Sequence, residues 1–184
     1  LDRAVTLAPR VAAYRFALAD VLRAQGMFEA ALSGYDAALA LDPRHVRAHA
    51  HRGVVLQELH RVDESLAAFR QALAIDPHDF GALNNLGIAL AQREQHAEAV
   101  EAFDRALAVK ADHAAYHNRS YSQRQLKRHA DALESLETAW NLAPGRPYVL
   151  GDLMQARMRM CRWEHFEVDQ DRLVELARRA DRVA

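Results

Sequence analysis

The 184-residue sequence has one cysteine, two lysines, few glycines or prolines and no long apolar run. Because Cys161 is alone, neither an internal disulfide nor a site of several thiolates can form, and a reducing, cytoplasmic location is expected. No segment approaches the roughly 18 consecutive apolar residues that a membrane-spanning helix requires. The formal net charge of −1 provides no long-range field for nucleic acid or an anionic membrane. We therefore expect neither nucleic acid nor membrane as a partner.

Motifs that carry catalysis or phosphate binding are also missing. The glycines form neither GxGxxG nor a P-loop, and neither HExxH nor GxSxG occurs. Two histidine pairs have i,i+4 spacing, His45 with His49 and His113 with His117, but no third ligand completes either pair. Cys161 lies on an apolar helical face, which is typical of a small core residue. We expect no catalytic residue, no cofactor and no metal site, and therefore no enzymatic activity in this chain.

A unit of 34 residues repeats through most of the sequence. Its end is marked at Pro9, Pro43, Pro77, Ala111 and, one residue early, Pro144. Five residues before these positions stand Ala4, Ala38, Ala72, Ala106 and Ala139. Three residues earlier come the bulky side chains of Leu1, Tyr35, Phe69, Phe103 and Leu136. A small residue precedes the bulky one by four, at Ala31, Ser65, Ala99 and Ala132. This spacing predicts one face of a helix that ends at the proline.

The first half of each unit carries matching columns. An apolar residue recurs at Leu22, Leu56 and Leu90, and Gln123 interrupts this column. Three residues earlier lie the small residues Ala19, Gly53, Gly87 and Ser120, which would let two helices cross closely. Gly26 separates the two halves of its unit, as a left-handed helix terminus favours. In later units that place is taken by His60, Glu94 and Lys127, which predicts strain or a different turn there.

The combined columns resemble the tetratricopeptide repeat, a 34-residue unit of two antiparallel helices. The resemblance implies an all-α fold, a right-handed α-solenoid of helical hairpins. It covers residues 1–144, as a partial repeat at 1–11 followed by repeats at about 12–45, 46–79, 80–112 and 113–145. The partial repeat predicts either that the sequence was cut from a longer array or that its first unit is incomplete. Residues 146–184 lose the pattern and are predicted to form a divergent capping or connector hairpin.

In this family the first helix of each repeat lines a concave wall that receives other proteins. The wall residues predicted to contact a partner are Phe16, His51, Asn84, Asn85, Ile88, His117, Asn118, Tyr121 and Arg124. One column of the wall contains Ala17, His51, Asn85 and Asn118. An asparagine amide both donates and accepts, so it can pair with a peptide backbone of any sequence. Cochaperones of similar fold bind a terminal carboxylate through cations, but the matching positions here hold Phe16, Asp20, His51, Gly81 and Asn85.

The C-terminal segment supports a narrower hypothesis. Residues 147–151, 154–158 and 161–163 resemble the segment that joins the repeats to the catalytic domain in bacterial proteins similar to O-linked N-acetylglucosamine transferase. Those enzymes have an asparagine ladder that holds extended substrates, and Asn85 and Asn118 resemble rungs of such a ladder. The chain would then be the substrate-presenting arm of a larger glycosyltransferase, whose catalytic domain would follow residue 184. The alternative is a free-standing adaptor for assembly or secretion.

Overall fold

The computed structural model describes residues 11–180, with side chains through residue 178, and all regular structure in this range is α-helical. The first five helices are α1 (Ala12–Ala24), α2 (Phe28–Leu41), α3 (Val46–Glu58), α4 (Val62–Ile75) and α5 (Phe80–Gln92). The next five are α6 (His96–Val109), α7 (His113–Gln125), α8 (His129–Leu142), α9 (Pro147–Arg159) and α10 (Phe166–Ala180). The all-α prediction is confirmed, whereas residues 1–10 of the predicted partial repeat lie outside the described residues.

The helices group into two compact units that divide between Gln95 and His96. In the first unit, α1 with α2 and α3 with α4 form antiparallel hairpins, and α5 packs against α4. The first helices α1, α3 and α5 also contact one another in that order, so they share one face of the unit. In the second unit, α7 packs between α6 and α8, and α9 packs between α8 and α10.

The repeated columns of the sequence form the buried core of each unit. The bulky column is fully buried, with no exposed surface at Tyr35, Phe69, Phe103 or Leu136. The small residues on the same helices are buried as well, at Ala31, Ser65, Ala99 and Ala132. Alanines five residues before the repeat boundary are equally buried, at Ala38, Ala72, Ala106 and Ala139. The predicted inner face of the second helices is thus confirmed for the four described repeats.

Small residues are required where the helices of a hairpin cross. A Cβ added to Gly53 on α3 would lie 2.5 Å from the ring of Phe69 on α4. In the preceding hairpin, a Cβ on Gly34 would lie 2.8 Å from the Cβ of Ala19. Both distances are shorter than van der Waals contact, so one extra carbon would force the helix axes apart. The size pattern therefore determines how closely each hairpin closes.

The same left-handed turn follows each of the five helices α1, α3, α5, α7 and α9. Gly26 has a φ of 74°, and the equivalent residues His60, Glu94, Lys127 and Cys161 have φ between 54° and 60°. At each junction the residue after the left-handed one donates its amide to a carbonyl five residues back, at distances of 2.8–2.9 Å. This is the Schellman arrangement of a helix C-terminus. The four non-glycine residues adopt the same left-handed geometry as Gly26, and their backbones are strained by it because they carry a Cβ.

Prolines follow the ends of the second helices α2 and α4, as the sequence predicts. The helix α2 stops at Leu41, and Asp42 before Pro43 has an extended ψ of 89°. Similarly, α4 stops at Ile75, and Asp76 before the next proline has a ψ of 97°. A proline ring excludes helical geometry from the residue before it, so the chain must leave the helix there. The next first helix then starts within a few residues.

The interruption of the apolar column at Gln123 is compensated by hydrogen bonds in the second unit. Gln123 is 4% exposed, and its Oε1 accepts a bond of 2.7 Å from the hydroxyl of Ser135. Arg119 donates to the same Ser135 oxygen at 3.1 and 3.2 Å and to Asp104 at 2.6 Å. Because the buried polar groups are paired with one another, this repeat tolerates glutamine where its neighbours have leucine.

The C-terminal hairpin of α9 and α10 corrects one sequence expectation. Cys161 is exposed and forms the left-handed turn after α9, so it is not the small core residue that the helical face predicted. Other α9 residues are buried instead, including Leu150 and Leu153, and Leu153 packs against Leu133 and Leu136 of α8. Arg157 on α9 joins it to α10 through a 2.6 Å ion pair with Asp169, which is 3% exposed.

Two helical glycines provide a matched test of the crossing constraint. We expect Gly53→Ala to lower the free energy of unfolding by about 1–3 kcal/mol, because the new methyl group meets the Phe69 ring. Gly151→Ala on α9 should instead raise it by about 0.5–1 kcal/mol, because nothing lies within 4 Å of its added Cβ and alanine favours the helix. Urea unfolding of the two variants measures these changes. A Gly53→Ala protein as stable as the native protein would contradict the constraint.

The left-handed turns provide a second pair of variants with opposite effects. Gly26→Ala should destabilise the protein by about 1 kcal/mol through backbone strain alone, because no atom lies within 4 Å of the added Cβ. Lys127→Gly should stabilise it by about 0.5–1 kcal/mol, because glycine adopts a φ of 60° without strain. Thermal unfolding measures both changes. If both substitutions changed the stability in the same direction, strain at these turns would be contradicted.

Candidate functional site

In the first unit, the face formed by α1, α3 and α5 contains two adjoining clefts. The first has a volume of about 300 Å³ and is lined by Arg23, Arg47, Ala50, His51, Val54, Asp79, Gly81 and Asn85. The second has a volume of about 450 Å³ and is lined by Val54, Gln57, Glu58, His60, Asn85, Ile88 and Gln92. Val54 and Asn85 line both clefts, so they lie at the junction between them. Together the clefts form a groove that we call the α1–α3–α5 groove.

His51 is held in the wall by a bond to the neighbouring repeat. Its Nδ1 lies 2.6 Å from Oδ1 of Asp20 on α1. The same Asp20 oxygen accepts a 2.6 Å hydrogen bond from the hydroxyl of Tyr35. Tyr35 is fully buried, and this burial raises the pKa of its phenol, with the bond to Asp20 raising it further. His51, predicted to contact a partner, is therefore also a structural link between α1 and α3.

Asn85 differs from His51 because its amide has no internal partner. The side chain of Asn85 is half-buried, and among the described residues it makes no hydrogen bond. Its position between the two clefts leaves both the amide donor and the carbonyl acceptor available to a bound chain. Ile88, one turn further along α5, is half-buried and adds apolar surface to the second cleft.

Two other predicted residues of this unit are placed deeper than the sequence suggested. Phe16 is 7% exposed, and its ring lies 4.7 Å from that of His45 and 5.2 Å from that of His51. It supports the wall from behind and offers almost no surface to a partner. Asn84 is half-buried, with its Oδ1 enclosed and unbonded. Neither Phe16 nor Asn84 lines the groove.

The second unit has its own polar network on α7 and α9. Nε2 of His117 lies 2.7 Å from Oδ2 of Asp152, and Arg124 lies 3.5 Å from the other oxygen of that carboxylate. The ring of Tyr148 on α9 meets His117 edge-on, with the centroids 5.0 Å apart. His117 and Arg124 were predicted as partner contacts, but both are bound to Asp152. Their first role is to join two neighbouring helices.

Asn118 and Tyr121 remain available on the same helix. The amide of Asn118 is half-buried and has no hydrogen bond among the described residues. Tyr121 is 45% exposed, with its ring 5.9 Å from that of His96. Arg124 lies 6.0 Å from the centre of the Tyr121 ring, within the range of a cation–π contact. Tyr121 therefore presents a positioned aromatic surface beside the free amide of Asn118.

The helix starts show one member of the asparagine column that the sequence argument missed. Counting six residues from each N-cap of the first helices gives Ala17, His51, Asn85, Asn118 and also Asp152. Asp152 was overlooked because the repeat pattern fades after Pro144. The proline at the first position of α9 was the signal that could have restored the count. In this column His51 and Asp152 are bonded internally, whereas the two asparagines are not.

The pair of His45 and His49 has a role in local structure. Nδ1 of His45 accepts the amide of Ala48 at 3.1 Å and thus caps α3. His49 bonds through Nε2 to the carbonyl of Pro43 at 2.9 Å. Within residues 11–178, no group of three or more His, Cys, Asp or Glu side chains could hold a metal ion. No helix in the described part of the chain is long and apolar enough to cross a membrane.

Hairpins of 13- and 14-residue helices, joined by identical turns and closed over small residues, define a helical repeat protein built as an all-α solenoid. The sequence matches the tetratricopeptide repeat family at residues 1–45, 16–80, 52–115 and 84–147. The chain therefore belongs to the tetratricopeptide repeat family, and its fold is that of a protein-interaction scaffold. Comparison with curated protein sequences found no match.

Solved structures of the same fold cover nearly the whole chain. MamA of Desulfovibrio magneticus RS-1, from its residue 41 onwards, is 19% identical, with a TM-score of 0.83 over 92% of this chain and 97% of that one. YrrB, described as a TPR protein with an unusual peptide-binding site, is 20% identical, with a TM-score of 0.78 over 95% and 91%. PilF of Pseudomonas aeruginosa is 23% identical, with a TM-score of 0.81 over 89% and 75%. At these identities the likeness defines the fold alone.

The buried Tyr35–Asp20 bond predicts a loss of stability at alkaline pH. The pKa of Tyr35 is raised in the folded protein, so the folded state keeps this proton where the unfolded chain releases it. The resulting stabilisation is complete below the unfolded pKa of about 10 and is lost as pH rises above it. Urea unfolding between about pH 8 and pH 11 should show a steeper decline for the native protein than for Tyr35→Phe. Parallel curves would argue against this assignment.

Proposed function

We propose that this protein binds extended polypeptide on its first helices, in the α1–α3–α5 groove of the first unit and beside Asn118 and Tyr121 of the second. The observation that carries the proposal is the contrast within one column of residues on the first helices. His51 and Asp152 are bonded to neighbouring helices, whereas the amides of Asn85 and Asn118 have no partner in the described part of the chain. An asparagine amide can bond both an N–H and a C=O of a peptide backbone, so it recognises an extended chain of any sequence.

The two asparagines alone cannot supply the free energy of binding. Each amide pairing contributes about 0.5–1.5 kcal/mol net, so two pairings give roughly 1–3 kcal/mol. A complex with a Kd of about 1 mM already requires about 4 kcal/mol. Apolar contacts must supply the difference, and Ile88 with Val54 offers them in the groove. In the second unit, Tyr121 is 45% exposed and offers an aromatic surface. The fragment should therefore bind peptides weakly and with broad specificity.

The narrower proposal places this face in a bacterial glycosyltransferase, as the arm that presents a polypeptide substrate in the cytoplasm. It is supported by the two asparagines and by the sequence of α9 and the turn after it. The alternative is an adaptor for assembly or secretion with no attached enzyme. The complete reading frame tests the two, because only the glycosyltransferase proposal requires a sugar-nucleotide-binding domain after residue 184.

The peptide-binding proposal is tested by removing both free amides. We expect Asn85→Ala with Asn118→Ala to weaken binding of extended peptides about fivefold or more, because two backbone pairings are lost. The melting temperature should not fall, because neither amide makes a bond within the described structure. Titration of the two proteins with the same peptide library, followed by NMR, measures the affinity difference.

A matched control is Asn141→Ala, which removes the same amide from an exposed position on α8, a second helix. This variant should bind peptides like the native protein. Unchanged affinity of the Asn85 and Asn118 double variant would remove the proposed role of these residues.

A further inference from the structure

The first cleft of the α1–α3–α5 groove is lined by two arginines, each of which has at least one donor without a hydrogen-bond partner among the described residues. Arg47 is exposed and makes no hydrogen bond or ion pair among the described residues. Its only described contact is with the ring of Phe16, whose centre lies 5.1 Å from the guanidinium carbon. A guanidinium carries five N–H donors in a planar fork, and stacking on a ring leaves this fork free at its edge. The buried Phe16 thus positions Arg47 without pairing it.

Arg23 is the second cation of this cleft. Its Nε is enclosed and has no hydrogen-bond partner. The nearest carboxylate oxygen, Oδ1 of Asp20, is 3.9 Å away, which is too far for a hydrogen bond. A buried donor without a partner costs free energy that a bound acceptor would recover. Arg23 and Arg47 lie on neighbouring first helices and line the same cleft.

One oxygen of each nearby carboxylate accepts internal bonds. Oδ1 of Asp79 accepts the amide of Ala82 at 2.7 Å and thus caps α5. Oδ1 of Asp20 accepts two bonds of 2.6 Å, from Tyr35 and His51. The exposed guanidinium of Arg47 and the exposed part of the Arg23 side chain, which is 37% exposed, are left to face the cleft. The cleft therefore has donors in excess and space of about 300 Å³ for an acceptor.

The adjoining cleft has a different character. Beyond Val54 and Asn85 it is lined by Gln57, Glu58, His60, Ile88 and Gln92, and it contains no arginine or lysine. A 3.4 Å bond between Gln57 and Gln92 satisfies part of this polar lining. A side chain placed here would meet neutral and apolar groups together with one carboxylate. The two clefts thus favour different neighbouring side chains of one bound chain.

We propose that the first cleft receives an aspartate or glutamate side chain of the bound polypeptide, with Arg47 and Arg23 as its donors. This inference rests on the proposed peptide-binding function and adds a preference for acidic segments. A chain whose backbone pairs with Asn85 at the junction would place one side chain in each cleft, since Asn85 lines both. Alternate side chains of an extended chain point to the same side. The occupant is then an acidic residue with an apolar residue two positions before or after it, and the apolar residue contacts Val54 and Ile88.

The test uses three short peptide libraries with blocked termini that differ only in a fixed central Glu, Gln or Lys. Immobilised protein is incubated with each library, and the retained peptides are quantified by mass spectrometry. We expect about five- to tenfold greater retention of the Glu library than of the Gln library, because hydrogen bonds between charged partners are the stronger ones. This preference should decrease as ionic strength rises, because the cleft is open to solvent.

Charge-matched variants locate the preference. Arg23→Gln with Arg47→Gln should abolish the preference for the Glu library, but this variant should still bind the Gln library. Arg70→Gln, at an exposed position on α4, should leave the preference unchanged. Arg23→Lys with Arg47→Lys keeps the charge and should keep part of the preference, which guards against a folding defect in the glutamine variant. Circular dichroism confirms that each variant is helical.

The outcomes separate the two proposals. Equal retention of the three libraries, or a Glu preference that survives loss of both arginines, overturns the acidic-residue inference and leaves peptide binding intact. Retention of no library above a bare support overturns peptide binding and, with it, this inference. A Glu preference lost only with Arg23 and Arg47 supports both.

Discussion

The close crossing of the two helices in each hairpin is the constraint on which the other features depend. Gly53 against the ring of Phe69, and Ala19 against Gly34, leave no room for an additional carbon atom. These contacts determine the crossing distance of α1 with α2 and of α3 with α4. The first helices of successive hairpins can then meet one another, and a face built from several repeats becomes possible. In the first unit, that face carries His51, Asn85, Arg23 and Arg47.

The left-handed turns show that this packing outweighs local backbone preference. His60, Glu94, Lys127 and Cys161 adopt the geometry that Gly26 adopts without strain. Each such residue costs on the order of 1–2 kcal/mol in the backbone. The turn is kept at all five positions, so other interactions of the fold offset this local cost. Cys161 extends this uniformity to the last hairpin, where the sequence columns have already faded.

Polar residues on the first-helix face divide into those that join helices and those that remain free. His51 with Asp20, and His117 with Asp152, join neighbouring first helices through bonds of 2.6 and 2.7 Å. Such bonds fix the position of one first helix against the next. The first helices are therefore held in place without a bound partner. The free amide of Asn85 and the unpaired donors of Arg47 lie in this ordered wall. The proposed recognition thus uses groups that make no hydrogen bond within the described structure.

The sequence alone determined the repeat period, the buried columns, the ends of the second helices and the position of Asn85 and Asn118 on the first helices. These features follow from spacings of three, four and 34 residues, which act through local helix geometry. Only the tertiary structure decided that Phe16 is buried, that Cys161 is exposed and that His117 is bound to Asp152. Those outcomes depend on pairs such as Asp20 and His51, which are 31 residues apart, or His117 and Asp152, which are 35 apart. A helical pattern places a side chain on a face, but only the packed neighbour determines whether its polar atoms are occupied or free.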